Sequence, residues 1–150
     1  MSLNMGEKTS EDQKYKEFMM NTYSIRLASF VDWPFTEDCS CTPAKMAAAG
    51  FYHCPTDQEP DAVKCFMCQK ELDGWEPNDD PMSEHKRHSP NCALINLKKD
   101  IEDKTMEEFL KLECIRQKNK LMKVAETAMK EFEHQAAKTR EQLELLAKNL

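Results

Sequence analysis

The fold of this chain is decided by residues 63–68, Val-Lys-Cys-Phe-Met-Cys, together with His85 and Cys92 further along. The spacing Cys65-x2-Cys68-x16-His85-x6-Cys92 supplies three thiolates and one imidazole, which form the complete tetrahedral shell of a structural zinc site. A closed four-ligand shell leaves no position for water, so this metal is expected to stabilise the fold and not to do chemistry. The alternative is four unrelated side chains, some of them core thiols. Spacing, ligand types and context together favour one zinc ion.

Proline and glycine divide the 150 residues into two parts. All seven prolines lie between Pro34 and Pro90, and no glycine follows Gly74. The first part is therefore turn-rich and compact, whereas the last sixty residues contain no strong helix breaker. The predicted parts, in chain order, are a disordered segment (1–14), a zinc-binding domain (15–97), a linker (98–104) and a long helix (105–150).

The first domain is predicted to be α+β, with a three-stranded antiparallel sheet and short helices, and too small for a core of its own without metal. Helix starts are marked by Thr42-Pro43 and Asp80-Pro81, where a capping residue precedes a proline. Apolar spacing predicts one amphipathic helix within 15–30. The remaining predicted elements are a helix ending at Gly50, strands at 51–53, 63–68 and 72–75, and a helix carrying His85.

Charge is concentrated on the first domain. Residues 57–84 carry nine acidic side chains against Lys64 and Lys70. Such a surface repels phosphates, which disfavours direct DNA binding, and it attracts a cationic partner such as a basic peptide tail. A plain solvated acidic surface is the alternative. No apolar run approaches a membrane span, so no membrane association is expected.

Seven cysteines without a secretory leader indicate a reducing compartment and metal ligation, not disulfides. Four cysteines remain after the zinc set and are interpreted as free thiols, mostly packing residues. They are Cys39, Cys41, Cys54 and Cys114.

The last third of the chain is predicted to form one helix of roughly 65–70 Å. Thr105 and Glu108 have the spacing of a capping box at its start. Beyond residue 121, apolar and small side chains recur by threes and fours, which is a heptad seam. The alternative is a helix folded back on its own domain, but a domain this small cannot cover so long a seam. Small and polar seam residues favour a heteromeric bundle. The seam comprises Met122, Ala125, Met129, Phe132, Ala136, Thr139, Leu143, Leu146 and Leu150.

The chain resembles the baculovirus inhibitor-of-apoptosis repeat family, called BIR below. The motif C-x2-C-x6-W-x9-H-x6-C holds without a gap, and the rest resembles members with a single repeat, a long C-terminal helix and no RING module. The residues that carry the likeness are Gly50, Asp61, Cys65, Cys68, Gly74, Trp75, His85 and Cys92.

This resemblance implies a non-enzymatic subunit of the chromosomal passenger complex. In such members the repeat reads a histone tail that begins Ala-Arg-Thr when the threonine is phosphorylated. The long helix bundles with borealin and inner centromere protein, and the complex carries an Aurora kinase. The implied locations are nucleus and cytoplasm, then centromere and kinetochore in mitosis, and later spindle midzone and midbody.

The resemblance also implies roles for single residues. Asp73 and Asp79 would pair with the terminal ammonium of the tail, and Leu72 and Trp75 would wall a pocket for the alanine methyl. Trp75 is equally well explained as a core aromatic. The remaining implied contacts are Glu59 to the tail arginine, and Lys70 and His88 to the phosphate, although His88 is also explained as a plain surface histidine.

Two further surfaces follow from the resemblance. When free, the chain is expected to form a homodimer, although Phe109 and Leu110 could instead pack on their own repeat. Thr42 fits a proline-directed kinase site, and such short sites often occur by chance. The implied dimer residues are Phe18, Leu97, Ile101, Met106, Phe109 and Leu110.

Two other functions compete with this interpretation. The apoptosis side of the family suggests restraint of caspases or capture of Ala-initiated antagonist peptides, and phosphate dependence would discriminate the two. An enzyme would need Cys65 or Cys68 as nucleophile near His85, but zinc ligation consumes those thiolates. The enzyme interpretation is therefore disfavoured.

Overall fold

The computed structural model describes residues 5–97 and 101–148. It confirms the α+β class, with a three-stranded antiparallel sheet, short helices and a long C-terminal helix. The elements are α1 (Met5–Met19), α2 (Tyr23–Ala28), α3 (Pro43–Ala48), β1 (Phe51–His53), β2 (Val63–Cys65), β3 (Glu71–Leu72), α4 (Pro81–His88), a 3-10 helix (Ile101–Asp103) and α5 (Met106–Lys148).

The sheet has the order β1-β2-β3. Phe51 pairs with Cys65 across the first ladder, and Val63 pairs with Leu72 across the second. Alternate residues of β1 and β2 are buried, as the two-residue period of a strand requires when one face meets a core. This register buries Cys65, the first predicted metal ligand, under the sheet.

One core joins the sheet, the short helices and the metal-binding residues. Gly50, between α3 and β1, has φ +91°, and an added Cβ would lie 2.5 Å from Cδ1 of Leu94. Only glycine fits this position without strain, because it combines a left-handed backbone with a close neighbour. The fully buried side chains include Phe51, Phe66, Met46, Met67, His85, Val63, Pro81, Cys41 and Cys65.

The N-terminal region differs from the sequence prediction in two ways. Residues 5–14, expected to be disordered, belong to α1, and the helix expected within 15–30 is divided into α1 and α2. The side chains at 11–16 are exposed, so this part of α1 is not held by burial of an apolar face. The break at 20–22 allows Arg26 of α2 to turn into the core.

Local signals at the helix starts are mostly present. Asp80 accepts a hydrogen bond from the Ser83 amide at 2.8 Å and caps α4. The Thr105 amide donates to Glu108 Oε2 at 2.9 Å and the Glu108 amide donates to Thr105 Oγ1 at 3.3 Å, which completes the predicted capping box. Thr42 stands at the N-cap of α3 but makes no side-chain cap bond.

Three predicted element ends were wrong. The helix expected to end at Gly50 has Ala49 as its C-cap, and the strand expected over 63–68 ends at Cys65, where the metal-binding turn begins. The third strand ends at Leu72 instead of running to Trp75. The amide of Trp75 is taken by a side chain, Asp61 Oδ2 at 2.7 Å, which removes it from the ladder.

The first turns of α5 lie against the domain. Leu112 and Arg116 are buried, and Asn119 Nδ2 donates to the carbonyl of Met67 at 2.9 Å. Lys120 also forms an ion pair with Glu17 of α1. From residue 121 to 148 every side chain of α5 is exposed. In the described part of the chain, no helix combines the length and apolar character that crossing a membrane demands.

Candidate metal centre and peptide groove

The four predicted zinc ligands meet at one point. The ligand atoms of Cys65, Cys68, His85 and Cys92 all lie within 4.8 Å of one another. Sγ of Cys65 is 4.0 Å from Sγ of Cys92, and Sγ of Cys68 is 3.5 Å from Nε2 of His85. A tetrahedral ion with Zn–S near 2.3 Å and Zn–N near 2.0 Å separates its ligands by about 3.8 Å and 3.5 Å, respectively. The cluster therefore fits one zinc ion.

The turn formed by residues 65–69 brings the sulfurs of Cys65 and Cys68 into the same cluster. The amides of Met67 and Cys68 point at Sγ of Cys65, at 3.4 and 3.5 Å. Gln69 closes the turn with φ 62°, and its side chain donates to the Phe66 carbonyl at 2.8 Å. Amide donors directed at a sulfur stabilise its thiolate form.

The third element of the cluster is α4, which presents His85. Nδ1 of His85 lies 2.8 Å from the carbonyl of Ala49, so this nitrogen carries the proton and leaves Nε2 free for the metal. The imidazole is fully buried and packs against the Phe51 ring at 4.7 Å between centroids. The Ala49 carbonyl and the Phe51 ring together fix the orientation of the imidazole.

Burial and mutual hydrogen bonds shift the pKa values of these proton-exchanging side chains in different directions. Burial raises the pKa of the Cys65 thiol, whereas hydrogen bonds from Cys65 and Cys92 lower the pKa of Cys68. Burial opposes the charged form of His85, but hydrogen bonds to Cys68 and Cys92 outweigh it and raise its pKa to about 9. A bound dication replaces such protons, because metal ligands must be deprotonated.

A small groove of about 90 Å³ lies beside the metal cluster, between β3, the 73–79 loop and α4. It brings together five of the seven residues predicted to contact a peptide. Those five are Leu72, Asp73, Trp75, Asp79 and His88. Glu59 and Lys70 are exposed and do not line this groove.

Trp75 belongs to both the core and the groove, so the two explanations of this residue are not exclusive. Its side chain is 7% exposed and packs edge-on against Phe51 at 5.8 Å. Asp79 closes the adjacent loop, because its Oδ2 accepts from the Glu76 amide at 2.8 Å. Asp61, which has no role in the sequence prediction beyond the motif, fixes the backbone of Trp75.

Glu84 and Arg87 also line the groove and were missed from the sequence. On this short helix Glu84 lies three residues before Arg87 and four residues before His88. Helical periodicity alone could have placed Glu84, Arg87 and His88 on a common face.

A family model described as "BIR: Inhibitor of Apoptosis domain" matches residues 26–96. "Baculoviral IAP repeat-containing protein 5" of Mus musculus is 55% identical over 124 residues, which cover 83% of this chain and 89% of that protein. "Baculoviral IAP repeat-containing protein 5.2" of Xenopus tropicalis is 52% identical over 130 residues, covering 87% of this chain and 83% of that protein. The chain belongs to the BIR family.

The likeness extends to one member of the family, survivin, because these relatives are its orthologues. The resemblance recognised in the motifs is thereby confirmed. Among solved structures, a crystal structure of DIAP1 BIR1 bound to a Grim peptide is 39% identical, with a TM-score of 0.43, and covers 50% of this chain and 71% of that chain.

The residues assigned to a dimer surface of the BIR chain are not all equally exposed. Leu97 and Ile101 pack partly against their own core. The rings of Phe18 and Phe109 meet edge-to-face at 6.4 Å within the chain, whereas Met106 and Leu110 are more than half exposed.

The described residues of the seam predicted on the long helix lie on the surface of the BIR chain. Met129, Phe132 and Leu146 are each more than 60% exposed. Leu150, the last seam residue, lies outside the described residues. The structure places the other members on the exposed part of α5, namely Met122, Ala125, Ala136, Thr139 and Leu143.

A second cavity, of about 400 Å³, lies between α1 and the sheet. Its walls carry both positive and negative charges, with Lys16 and Glu17 on α1 and Lys64 and Glu71 on the sheet. None of its lining residues is a predicted site residue. Lys64 and Glu71 already form an ion pair at 3.1 Å. The chemistry of the molecule is therefore concentrated at the metal cluster and the groove.

Proposed function

We propose that this BIR protein is a non-enzymatic adaptor. Its repeat reads a histone amino-terminal tail of the sequence Ala-Arg-phosphothreonine, and its long helix assembles partners. The observation that carries the proposal is the charge pattern of the groove. Asp73 and Asp79 lie on its loop, and Arg87 and His88 lie on α4.

The groove residues suit a charged chain end. A free terminal ammonium needs carboxylate acceptors, and Asp73 and Asp79 are the acids of the 73–79 loop that line the groove. Leu72 and Trp75 are the apolar side chains of the same groove, and we assign them to the alanine methyl. Glu59 and Lys70 are exposed outside the groove, and we assign Glu59 to the tail arginine and Lys70 to the phosphate.

Zinc supports this function structurally. The cluster would hold one ion through three sulfurs and Nε2 of His85, which fill all four positions and leave none for water. When bound, the ion supplies a cross-link between the β2 turn and α4. Since α4 carries His88 and the β2–β3 turn leads to Leu72, the cross-link holds the two walls of the groove together.

The groove is tested with tail peptides that differ by one group. Asp73→Ala and Asp79→Ala are expected to weaken binding of the phosphorylated peptide by about 10–100-fold, because each removes a charge-assisted hydrogen bond. Acetylation of the peptide amine should cause a similar loss. Calorimetry on the zinc-loaded chain measures both effects.

Asp57→Ala is the matched control, because Asp57 is an exposed acid outside the groove. Asp79→Ala also removes a carboxylate that closes a turn, so it can disturb the fold. Asp73→Ala therefore serves as the independent test of the groove. Equal affinities for the phosphorylated, unmodified and acetylated peptides would show that the groove does not read this tail.

The exposed seam of α5 supports the second half of the proposal. A helix that leaves an apolar stripe in water over seven turns requires partner helices to cover it. We assign these partners to borealin and inner centromere protein, which would connect the chain indirectly to Aurora kinase. In the absence of partners, the exposed Met106 and Leu110 support a homodimer. The implied sites of action are the nucleus and cytoplasm, the centromere and kinetochore in mitosis, and the midzone and midbody afterwards.

A charge within the seam should prevent assembly. Phe132→Glu is expected to weaken the complex with borealin and inner centromere protein fragments at least about hundredfold, because it places an unpaired carboxylate in an apolar interface. His134→Glu adds the same charge to the opposite face of the helix and should leave assembly unchanged. Light scattering after size exclusion measures the complex, and a normal complex with Phe132→Glu would rule out this seam.

Restraint of apoptosis is the second candidate. The description of the matched family, an inhibitor-of-apoptosis domain, favours it. The same groove would then capture an Ala-initiated peptide without a phosphate. Preference for the unphosphorylated peptide would support this candidate over the histone tail.

A further inference from the structure

Three charged or polar side chains form a closed cluster on one face of α4, at the corner of the groove. Glu84 Oε2 is 2.5 Å from Arg87 Nη2 and 3.5 Å from His88 Nε2. Arg87 Nη2 in turn lies 3.1 Å from His88 Nε2. All three line the same small cavity as Asp73 and Asp79.

The cluster fixes what His88 can offer to a ligand. An arginine nitrogen only donates, so Nε2 of His88 is the acceptor of the 3.1 Å contact and presents no N–H to the groove. The Glu84 carboxylate, 22% exposed, stands where an anion would bind between the two side chains. Arg87 is 69% exposed, so it can rotate without disturbing the core.

We propose that Arg87 is a phosphate ligand of the groove and that Glu84 is its internal competitor. In the free protein Arg87 donates to both Glu84 and His88, and the phosphate of the bound chain takes over the position of the Glu84 carboxylate. This inference rests on the proposed function and names the residues that give it phosphate selectivity. Lys70, the cation assigned from the sequence, does not line the groove, whereas Arg87 does.

Selectivity follows from an exchange of anions. A phosphothreonine brings a charge near −2 and can replace the single charge of Glu84 on the planar fork of Arg87. An unmodified threonine hydroxyl brings no charge, so it cannot displace the Glu84 carboxylate, which lies 2.5 Å from Arg87 Nη2. The unphosphorylated peptide therefore binds with the Glu84–Arg87 pair intact and gains nothing from Arg87.

The test compares phosphorylated and unphosphorylated tail peptides on four variants of the zinc-loaded chain. Arg87→Ala should reduce the affinity for the phosphorylated peptide by about tenfold, the size of one charge-assisted hydrogen bond, and the loss should be confined to that peptide. Arg87→Lys should recover part of it. Glu84→Gln should increase the phosphorylated-to-unphosphorylated preference several-fold, because it removes the competing charge.

Lys86→Ala is the matched control, since it removes the same charge one residue away on an exposed position that does not line the groove. An unchanged preference in Arg87→Ala, with a clear preference in the wild type, overturns this inference and leaves the proposed function standing. The absence of any phosphate preference in the wild type overturns both. An equal loss for both peptides would assign Arg87 a merely structural role and would also overturn the inference.

Discussion

Removal of zinc is expected to unfold the repeat. Structural zinc sites contribute an apparent free energy of about 10–16 kcal/mol, which equals or exceeds the total stability of about 5–15 kcal/mol for a small domain. Chelation, or Cys92→Ser, should therefore expose Trp33 and Trp75, which are 4% and 7% exposed in the fold. They are the two tryptophans of the chain and both lie in the repeat, so their emission reports on this domain.

The measurement needs a probe other than helical circular dichroism, because α5 can keep helical signal after the repeat has unfolded. Tryptophan emission and near-ultraviolet dichroism, followed against bound zinc by elemental analysis, separate the two parts. Cys114→Ser is the control, since Cys114 is exposed on α5 and far from the cluster in sequence. A metal-free chain that keeps buried tryptophans would disprove the structural role of the ion.

Features encoded over short distances in the chain could be predicted from the sequence. The cap of α4 by Asp80 and the box of Thr105 with Glu108 depend on residues three apart, so the pattern is sufficient to identify them. The zinc cluster was also predictable, although its ligands are distant in sequence. A thiol and imidazole set of this spacing has few other stable uses in so small a domain.

Features decided by tertiary contacts could not be predicted in this way. The third strand stops early because Asp61, fourteen residues before Trp75, takes the amide that the ladder would use. The division of the first helix follows from the burial of Arg26, which an amphipathic pattern treats as a surface residue. The Glu84–Arg87 pair appears in the groove only when α4 is docked by its neighbour His85.

Replacement of Arg26 should produce the second large effect. This guanidinium is 6% exposed and lies 4.6 Å above the Phe66 ring, and burial lowers its pKa to about 10, so it is still charged at neutral pH. It is the connection between the N-terminal segment and the core. Its hydrogen bonds run to the carbonyls of Ala47 at 3.0 Å, Met20 at 2.8 Å and Asn21 at 3.0 Å.

Arg26→Ala is expected to lower the free energy of unfolding by about 3–5 kcal/mol, because it removes three hydrogen bonds of a buried cation and its packing on Phe66. Urea denaturation of the zinc-loaded chain, followed by tryptophan emission, measures the change. Arg26→Lys keeps the charge but cannot reach three carbonyls with a planar fork, so only part of the stability should return. Arg140→Ala, at an exposed position of α5, should change the free energy by less than about 0.5 kcal/mol. If Arg26→Ala and Arg140→Ala behaved alike, the N-terminal segment would not depend on this buried cation, and the break between α1 and α2 would need another cause.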